Sequence, residues 1–395
     1  MISVSEAKKI ALENTAVLPA TRLPLLRAAG MTLAEDVQAA VDVPAFPQSS
    51  MDGYAVLFSG WQSHGKLKIA GEIAAGDKPS APLLPGQAVR IFTGAALPPG
   101  ADSVIEQESV VIENDVLEIL KTDFQAGKNV RPRGSEIIAG RTALNKGAVL
   151  SPAAIGFLAG CGVSEAPVFA HPRIGIIVTG TELQTPGKPL QYGQVYESNS
   201  LALLAALRQM RLTDTTVARA DDRLDVVTGL LQEQLLQNDV VLVTGGISVG
   251  DYDFVLKATQ LCGVEQKFYK VRQRPGKPLF FGVKDKKIVF ALPGNPASVL
   301  TCFYEYVAPV LYKMTGQQRT LHTLNVPLAS DYRKSTALTH FLKGFYDGKT
   351  ATPLEGQESY RLASFARANC LIVIGETVAE CRAGETVEIH LIDHC

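Results

Sequence analysis

Between Val243 and Phe254 the chain places a glycine pair, Gly245 and Gly246, a further glycine at Gly250, and two carboxylates, Asp251 and Asp253. Glycines let a backbone approach a ligand closely, and a glycine loop leading into a helix N-terminus makes a cradle for an anion. Asp251 and Asp253 would repel a bare phosphate; a divalent cation held between them and the phosphate would remove the conflict. A second group, Thr179-Gly-Thr-Glu-Leu183, repeats the order of Thr-Gly followed by a carboxylate, Glu182. Four cations, Lys270, Arg272, Arg274 and Lys277, crowd a Pro-Gly turn. They read either as a solvated basic edge or, beside a glycine loop and acidic groups, as a source of an oxyanion ligand, Lys277. Pro293-Gly-Asn-Pro-Ala-Ser298 opens a helix and puts Ser298 in the first turn, where free N–H groups favour an anion. Far upstream, Ser49, Ser50, Asp52 and Tyr54 share one stiff turn, and Thr93-Gly94 closes a strand. Two rival readings attach to the glycine loop. Any parallel sheet needs such a strand-to-helix turn, and Gly246-Ile-Ser-Val-Gly250 also fits the G-x-S-x-G nucleophile elbow with Ser248 at its tip. Carboxylates within five residues of Ser248 oppose the elbow, because they would disfavour an oxyanion.

The elements that must position these groups follow from periodicity. The apolar runs Ile174 to Val178, Val240 to Val243 and Lys287 to Leu292 read as strands buried on both faces. Helical spacing from Asn199 to Met210, from Arg223 to Gln237 and from Asp251, as cap, to Leu261 places helices between them, giving a mostly parallel, doubly wound sheet. Glu182 and Asp253 then share the carboxyl edge where such sheets bind ligands. Short β-rich runs between Gly and Pro breaks describe a small β domain over 44–133 and a second over 317–395. Helical readings over Ser5 to Glu13, Met31 to Val37 and Ser151 to Cys161 suggest a helical linker domain made of 1–43 and 134–167, its first and last pieces packed together, with the α/β domain over 168–316.

Composition narrows the class. With 38 basic and 39 acidic residues the chain lacks the basic excess of a general nucleic-acid or membrane-surface binder. No apolar run reaches the length of a membrane span and the first residues lack the apolar core of a signal peptide, so a cytoplasmic protein is expected. Cys161, Cys262, Cys302, Cys370, Cys381 and Cys395 show no C-x-x-C spacing and read as reduced, mainly buried thiols.

Taken in order, Ser50-Met-Asp-Gly-Tyr-Ala-Val56, Ile91-Phe-Thr-Gly-Ala95, Asn129-Val-Arg131, Thr179-Gly-Thr-Glu-Leu183, Thr244-Gly-Gly-Ile-Ser-Val-Gly250, Arg274-Pro-Gly-Lys-Pro278 and Pro293-Gly-Asn-Pro296 resemble the MoeA family of molybdopterin molybdenumtransferases, relatives of the gephyrin E domain. The resemblance spans nearly the whole chain. It implies a MoaB/MogA-like central domain, an inserted β domain, a helical linker and a C-terminal β-barrel-like domain. It implies insertion of molybdate into the dithiolene of adenylylated molybdopterin, with Mg2+ assisting cleavage and release of AMP. Asp52, Thr93, Glu182, Asp222, Asp253, Lys270 and Lys277 match the family's catalytic positions. Gly245, Gly246, Ser248, Gly250, Pro293, Gly294 and Asn295 would take the pterin nucleotide; Lys277, Ser298 and Arg361 would hold molybdate; Glu182, Asp251 and Asp253 would hold the cation. A homodimer is implied too, with Asp52 and Thr93 facing the partner's α/β domain, and a molybdopterin adenylyltransferase as upstream partner. Three departures stand out: Arg274 replaces the usual lysine of Lys-Pro-Gly-Lys-Pro, Gly134-Ser-Glu136 replaces Gly-Glu-Asp, and the C-terminal domain matches loosely apart from Ala366-Arg-Ala-Asn-Cys370. Hydrolysis through Ser248, and a non-catalytic scaffold on the same fold, are the alternative functions.

Overall fold

A computed structural model describes residues 1–79, 81–121, 123–247, 254–317, 319 and 321–392. They form two compact units, Met1–Thr21 with Phe169–Cys395, and Arg22–Val168.

The first unit is built on a six-stranded sheet whose strands run in the order Thr215–Ala220, Ile174–Thr179, Val240–Thr244, Lys287–Leu292, Phe280–Lys284, Glu265–Tyr269. The first four are mutually parallel, and Phe280–Lys284 runs antiparallel to both its neighbours. Ile174–Thr179 and Val240–Thr244 are buried at every position, as continuous apolar strands must be when both faces are covered. Alternate residues feed different cores. Ile176, Val178, Leu242 and Phe290 join Leu203 and Leu207 of helix Asn199–Gln209 on one face. Ile177, Val241, Val243 and Val289 join Leu231 of helix Leu224–Gln237 and Val255 of helix Phe254–Leu261 on the other. The period of two thus winds helices on both sides of one sheet. The long helix opened by Pro296 runs through a π-helical turn, Phe303–Val307, to Met314.

The remainder of this unit is a C-terminal sheet in the order Gln273–Arg274, Thr339–Tyr346, Cys370–Ile374, Thr386–Leu391, His322–Pro327, an open half-barrel around Leu342, Ile372 and Ile389. Its first strand is part of the basic Pro-Gly segment, so Gln273 and Arg274 pair in parallel with Thr339 and His340 and tie that turn to the sheet.

In the second unit a six-stranded sheet, ordered Ser103–Glu106, Gly53–Val56, Gln87–Ile91, Lys66–Ile73, Val116–Ile119, Val110–Glu113, has cores around Leu67, Ile105 and Ile91. A separate core gathers Leu25, Leu33, Leu150, Leu158 and Val168.

Two sequence expectations are corrected. Met31 to Val37 is not helical: Thr32 and Leu33 make β-bridges to Val149 and Val168, and the short helix lies earlier, at Leu25–Ala28. The apolar residues satisfied a helical period by chance, and partners more than a hundred residues away decide their conformation. The N-terminal helix Val4–Glu13 lies in the unit that holds the α/β sheet. Ala7 and Ala11 enter the core of the α/β unit, Lys313 Nζ donates to Leu12 O at 2.7 Å, and Lys8 pairs with the buried Glu305. Residues 1–21 therefore belong with 169–395, not with the linker. Cys161, Cys262, Cys302, Cys370 and Cys381 are buried and form no disulfide among the described residues. Among the described residues no helix is long and apolar enough to cross a membrane.

Candidate active site

Register fixes where the strands end. Thr179 lies beside Ala220, Val178 beside Thr244, and Thr244 beside Leu292. The turns that follow, at Gly180, Asp222, Gly245 and Gly294, therefore open onto one edge, where they line a cleft of about 750 Å³. That volume suits a nucleotide-sized ligand. Glu182, Asp222, Lys270 and Lys277 stand on its walls, and Gly245, Gly246, Pro293, Gly294 and Asn295 also line it.

The glycines are required by close approach and by backbone sign. Gly245 has φ +85°, and a Cβ there would lie 2.6 Å from Thr179 O. At Gly246, φ +60°, a Cβ would lie 2.7 Å from Val255 Cγ2. Any side chain would push these strand ends apart. Glu182 is exposed. Asp222 Oδ1 and Asn199 Oδ1 are buried without a hydrogen-bond partner among the described residues. Buried acceptors left unpaired are costly and call for a ligand or water.

The opposite charge comes from a braced turn. Lys270 closes strand Glu265–Tyr269 with φ +67°, a left-handed conformation rare for a long side chain, and its ammonium lies 4.8 Å from the Tyr269 ring centre. Lys277 follows Gly276, whose φ is +83° and whose Cβ would meet Cys302 Sγ at 2.5 Å. The buried Gln273 donates from Nε2 to Gly276 O at 3.1 Å, and its Oε1 accepts from Tyr306 of the π-helical turn. Lys277 thus projects from a turn anchored below the surface. Asn295 begins the long helix and donates from Nδ2 to Ser359 Oγ at 2.9 Å.

The other expected residues lie elsewhere. Ser298 is in the first helical turn but buried, and it is not among the residues that line the cleft. Arg361 pairs with Glu358 at 3.1 Å; its neighbour Tyr360 lines the cleft in its place. Asp52 and Thr93 belong to the second unit. Thr93 donates to Asp52 Oδ1 from its backbone N at 2.8 Å and from Oγ1 at 2.7 Å. The Thr93 backbone amide and then its hydroxyl hold the Asp52 carboxyl below the ordinary range. Ser248, Gly250, Asp251 and Asp253 lie outside the described residues. Sequence reasoning passed over Glu197, Asn199, Gln273 and Tyr360. Glu197 is buried on the cleft wall and accepts from Ser200 N and Oγ, capping helix Asn199–Gln209. Its signal was a Glu three residues before a Ser at a helix start. No described histidine lines the cleft: His340 is bonded to Tyr332 and Thr336, and His390 to Glu305 and Glu388.

Three family models match in succession: the MoeA N-terminal region (domains I and II) over 2–162, a probable molybdopterin-binding domain over 175–313, and the MoeA C-terminal region (domain IV) over 325–392. A molybdopterin molybdenumtransferase of Haemophilus influenzae is 32% identical over 408 residues, covering 100% of this chain and 99% of its own. The chain belongs to the MoeA family. Molybdopterin molybdenumtransferase 2 of Mycobacterium tuberculosis is likewise 32% identical, over 98% of this chain and 99% of its own. A MoeA crystal structure from Pyrococcus horikoshii superposes with a TM-score of 0.86 at 30% identity, covering 100% of this chain and 99% of that one. The architecture is thus that of MoeA, a mostly parallel α/β core with accompanying β domains and a half-barrel sheet.

Proposed function

We propose that this protein is a molybdenumtransferase that inserts molybdate into the dithiolene of adenylylated molybdopterin and releases AMP. One observation carries the reading: a glycine-lined edge, the carboxylates Glu182 and Asp222 and the lysines Lys270 and Lys277 share a single cleft in a chain whose relatives bear the name molybdopterin molybdenumtransferase. Gly245, Gly246 and Gly294 leave room for the phosphates against backbone, and the N-terminus of the long helix favours their charge. Lys277, and Lys270 beside it, attract molybdate as an oxyanion, with Arg361 and Ser298 as the further molybdate residues of this proposal.

A magnesium ion fits the residues present. Glu182 and the unpartnered Asp222 Oδ1 are hard oxygen donors at one cleft, and Mg2+ is commonly held by one or two carboxylates together with substrate phosphates. Among the described residues no group of three or more metal-binding side chains is assembled, so substrate oxygens would complete the shell. Bound there, the ion would neutralise phosphate charge. Glu182 and Asp222 would hold the ion, and Asp251 and Asp253 belong to the same proposed set.

In a homodimer, Asp52 and Thr93 of one subunit complete the partner's cleft, and an adenylyltransferase supplies the substrate. The buried cysteines, with no disulfide among the described residues, suit a reducing compartment, and the cytoplasm is the location of this proposal. The hydrolase alternative has no support among the relatives, which bear the name molybdopterin molybdenumtransferase.

The test is AMP release from adenylylated molybdopterin by the purified protein. Release that requires both molybdate and Mg2+, with a product that activates an apo-molybdoenzyme, is the expected result. Tight nucleotide binding with no release under any condition would overturn it in favour of a binding protein.

A further inference from the structure

Tyr360 reaches the cleft from a loop, 354–361, that belongs neither to the α/β sheet nor to a strand of the half-barrel. Ser359 fastens this loop to the start of the long helix at two points. Its Oγ accepts from Asn295 Nδ2 at 2.9 Å, and its carbonyl accepts from Ala297 N at 3.1 Å. On its inner side the loop turns three carbonyls toward one cation. Lys343, in strand Thr339–Tyr346, is 3% exposed, and its ammonium donates to Gly356 O at 2.6 Å, Glu358 O at 3.2 Å and Arg361 O at 3.0 Å. An ammonium has three protons, and all three are used. The backbone of Lys343 joins in: its N donates to Gln357 Oε1 at 3.0 Å and its carbonyl accepts from Gln357 Nε2 at 2.9 Å.

A lysine is rarely buried so fully unless it is paired, and this one has loop carbonyls as its partners rather than a carboxylate. Burial pushes the ammonium down to about 8, with Glu358 pulling it up and Arg361 pushing it further down, so it stays mostly charged at neutral pH. Without it, inward-facing carbonyls would be left unsatisfied, and the loop would have reason to turn outward.

We propose that Lys343 is a positioning residue: it clamps the 356–361 loop from beneath, so that Tyr360 is held at the cleft for the substrate. The clamp is a property of the fold, and its use in substrate binding rests on the transferase reading. Lys343 touches no substrate itself; it acts through the loop that does.

The test replaces Lys343 by methionine, which keeps the length and removes the donors, and reads two quantities on the full-length protein. Hydrogen exchange should quicken about 10-fold or more at Ala297 and within 356–361, while strands Ile174–Thr179 and Val240–Thr244 keep their protection. In AMP release, KM for adenylylated molybdopterin should rise about 10-fold with kcat within about twofold, the signature of lost binding without lost chemistry. If Lys343→Met does not fold, Ser359→Ala removes the side-chain half of the outer fastening instead, and the same two readouts apply with smaller changes. Unchanged exchange in the loop would overturn the clamp. Faster exchange with unchanged KM would overturn its role in binding. Absence of AMP release by the wild type would count against the transferase reading alone, since the exchange measurement needs no turnover.

Discussion

The cleft of the α/β unit and the Asp52 turn of the second unit hold candidate site carboxylates in opposite ways. In the cleft, Glu182 is exposed and Asp222 Oδ1 has no hydrogen-bond partner among the described residues. At the turn, Asp52 Oδ1 already accepts two bonds from Thr93, and its carboxyl is held below the ordinary range by them. Groups left unsatisfied by their own fold are available to a ligand; a group satisfied locally is held in place before any ligand arrives. On the transferase reading proposed above, the cleft carboxylates compensate charge and the Asp52 turn presents its carboxylate rigidly.

The largest expected effect is at Glu182. Glu182→Gln removes one charge from an exposed side chain, so turnover should fall by about 10² to 10³, the scale for a lost electrostatic contact in a transition state, while thermal unfolding stays near wild type. Full activity would break the comparison at its strongest point. Lys277→Met should raise KM for molybdate by about 10- to 100-fold, as expected for loss of one charge-assisted hydrogen bond of about 1.5–3 kcal/mol. Steady-state kinetics with varied molybdate check it, and an unchanged KM would move the oxyanion to another cation.

On the side of the rigid turn, a Cβ at Gly53 would sit 1.9 Å from Ile105 O. Gly53→Ala should therefore destabilise the second unit by about 1–3 kcal/mol, the range for overpacking, in denaturant unfolding followed through Trp61. Equal stability would mean that the turn is less rigid than the contrast requires.

The smallest effect concerns acid stability. Burial pushes the Glu305 carboxyl up, but the charges of Lys8 and His390 outweigh it and bring it down to about 2. A carboxyl depressed on folding stabilises above its unfolded value of 4.5, and that contribution is lost as pH falls through 4.5 toward 2. His390 is raised on folding: burial lowers it, and Glu305 more than reverses this. Its contribution is full below its ordinary 6.5 and is lost as pH rises through the raised value. Stability measured from pH 2 to pH 5 should fall at the acid end in wild type and more weakly in Glu305→Gln. Parallel curves would contradict the pairing.

Much of this architecture could be read from the chain because burial writes itself into composition. Val240 to Val243 is too apolar and too short for anything but a covered strand, and the Thr-Gly pairs after Val178 and Val243 mark where strands end at the cleft. Periodicity failed where distant partners overrule local preference. Met31 to Val37 had helical spacing, yet Leu33 is held by Val168. The N-terminal helix was visible, but its docking partner was not, because an amphipathic stripe says that a face is buried and not against what. Gln273, Tyr360 and Lys343 were missed for a related reason. Their importance lies in which turn or loop they touch, and a lysine in a strand looks like a solvated charge until the carbonyls around it are seen. Ser298 shows the reverse: its place at the helix start was read correctly, while its burial depends on packing that sequence does not reveal.

The most direct test of the cleft is a calorimetric titration of AMP into wild-type protein and Glu182→Gln, each with and without Mg2+. Magnesium should tighten AMP binding to the wild type by about tenfold or more, a coupling of about 1.4 kcal/mol or more, and should have little effect on the variant. The same magnesium dependence in both proteins would contradict the account, because Glu182 would then have no part in holding the cation.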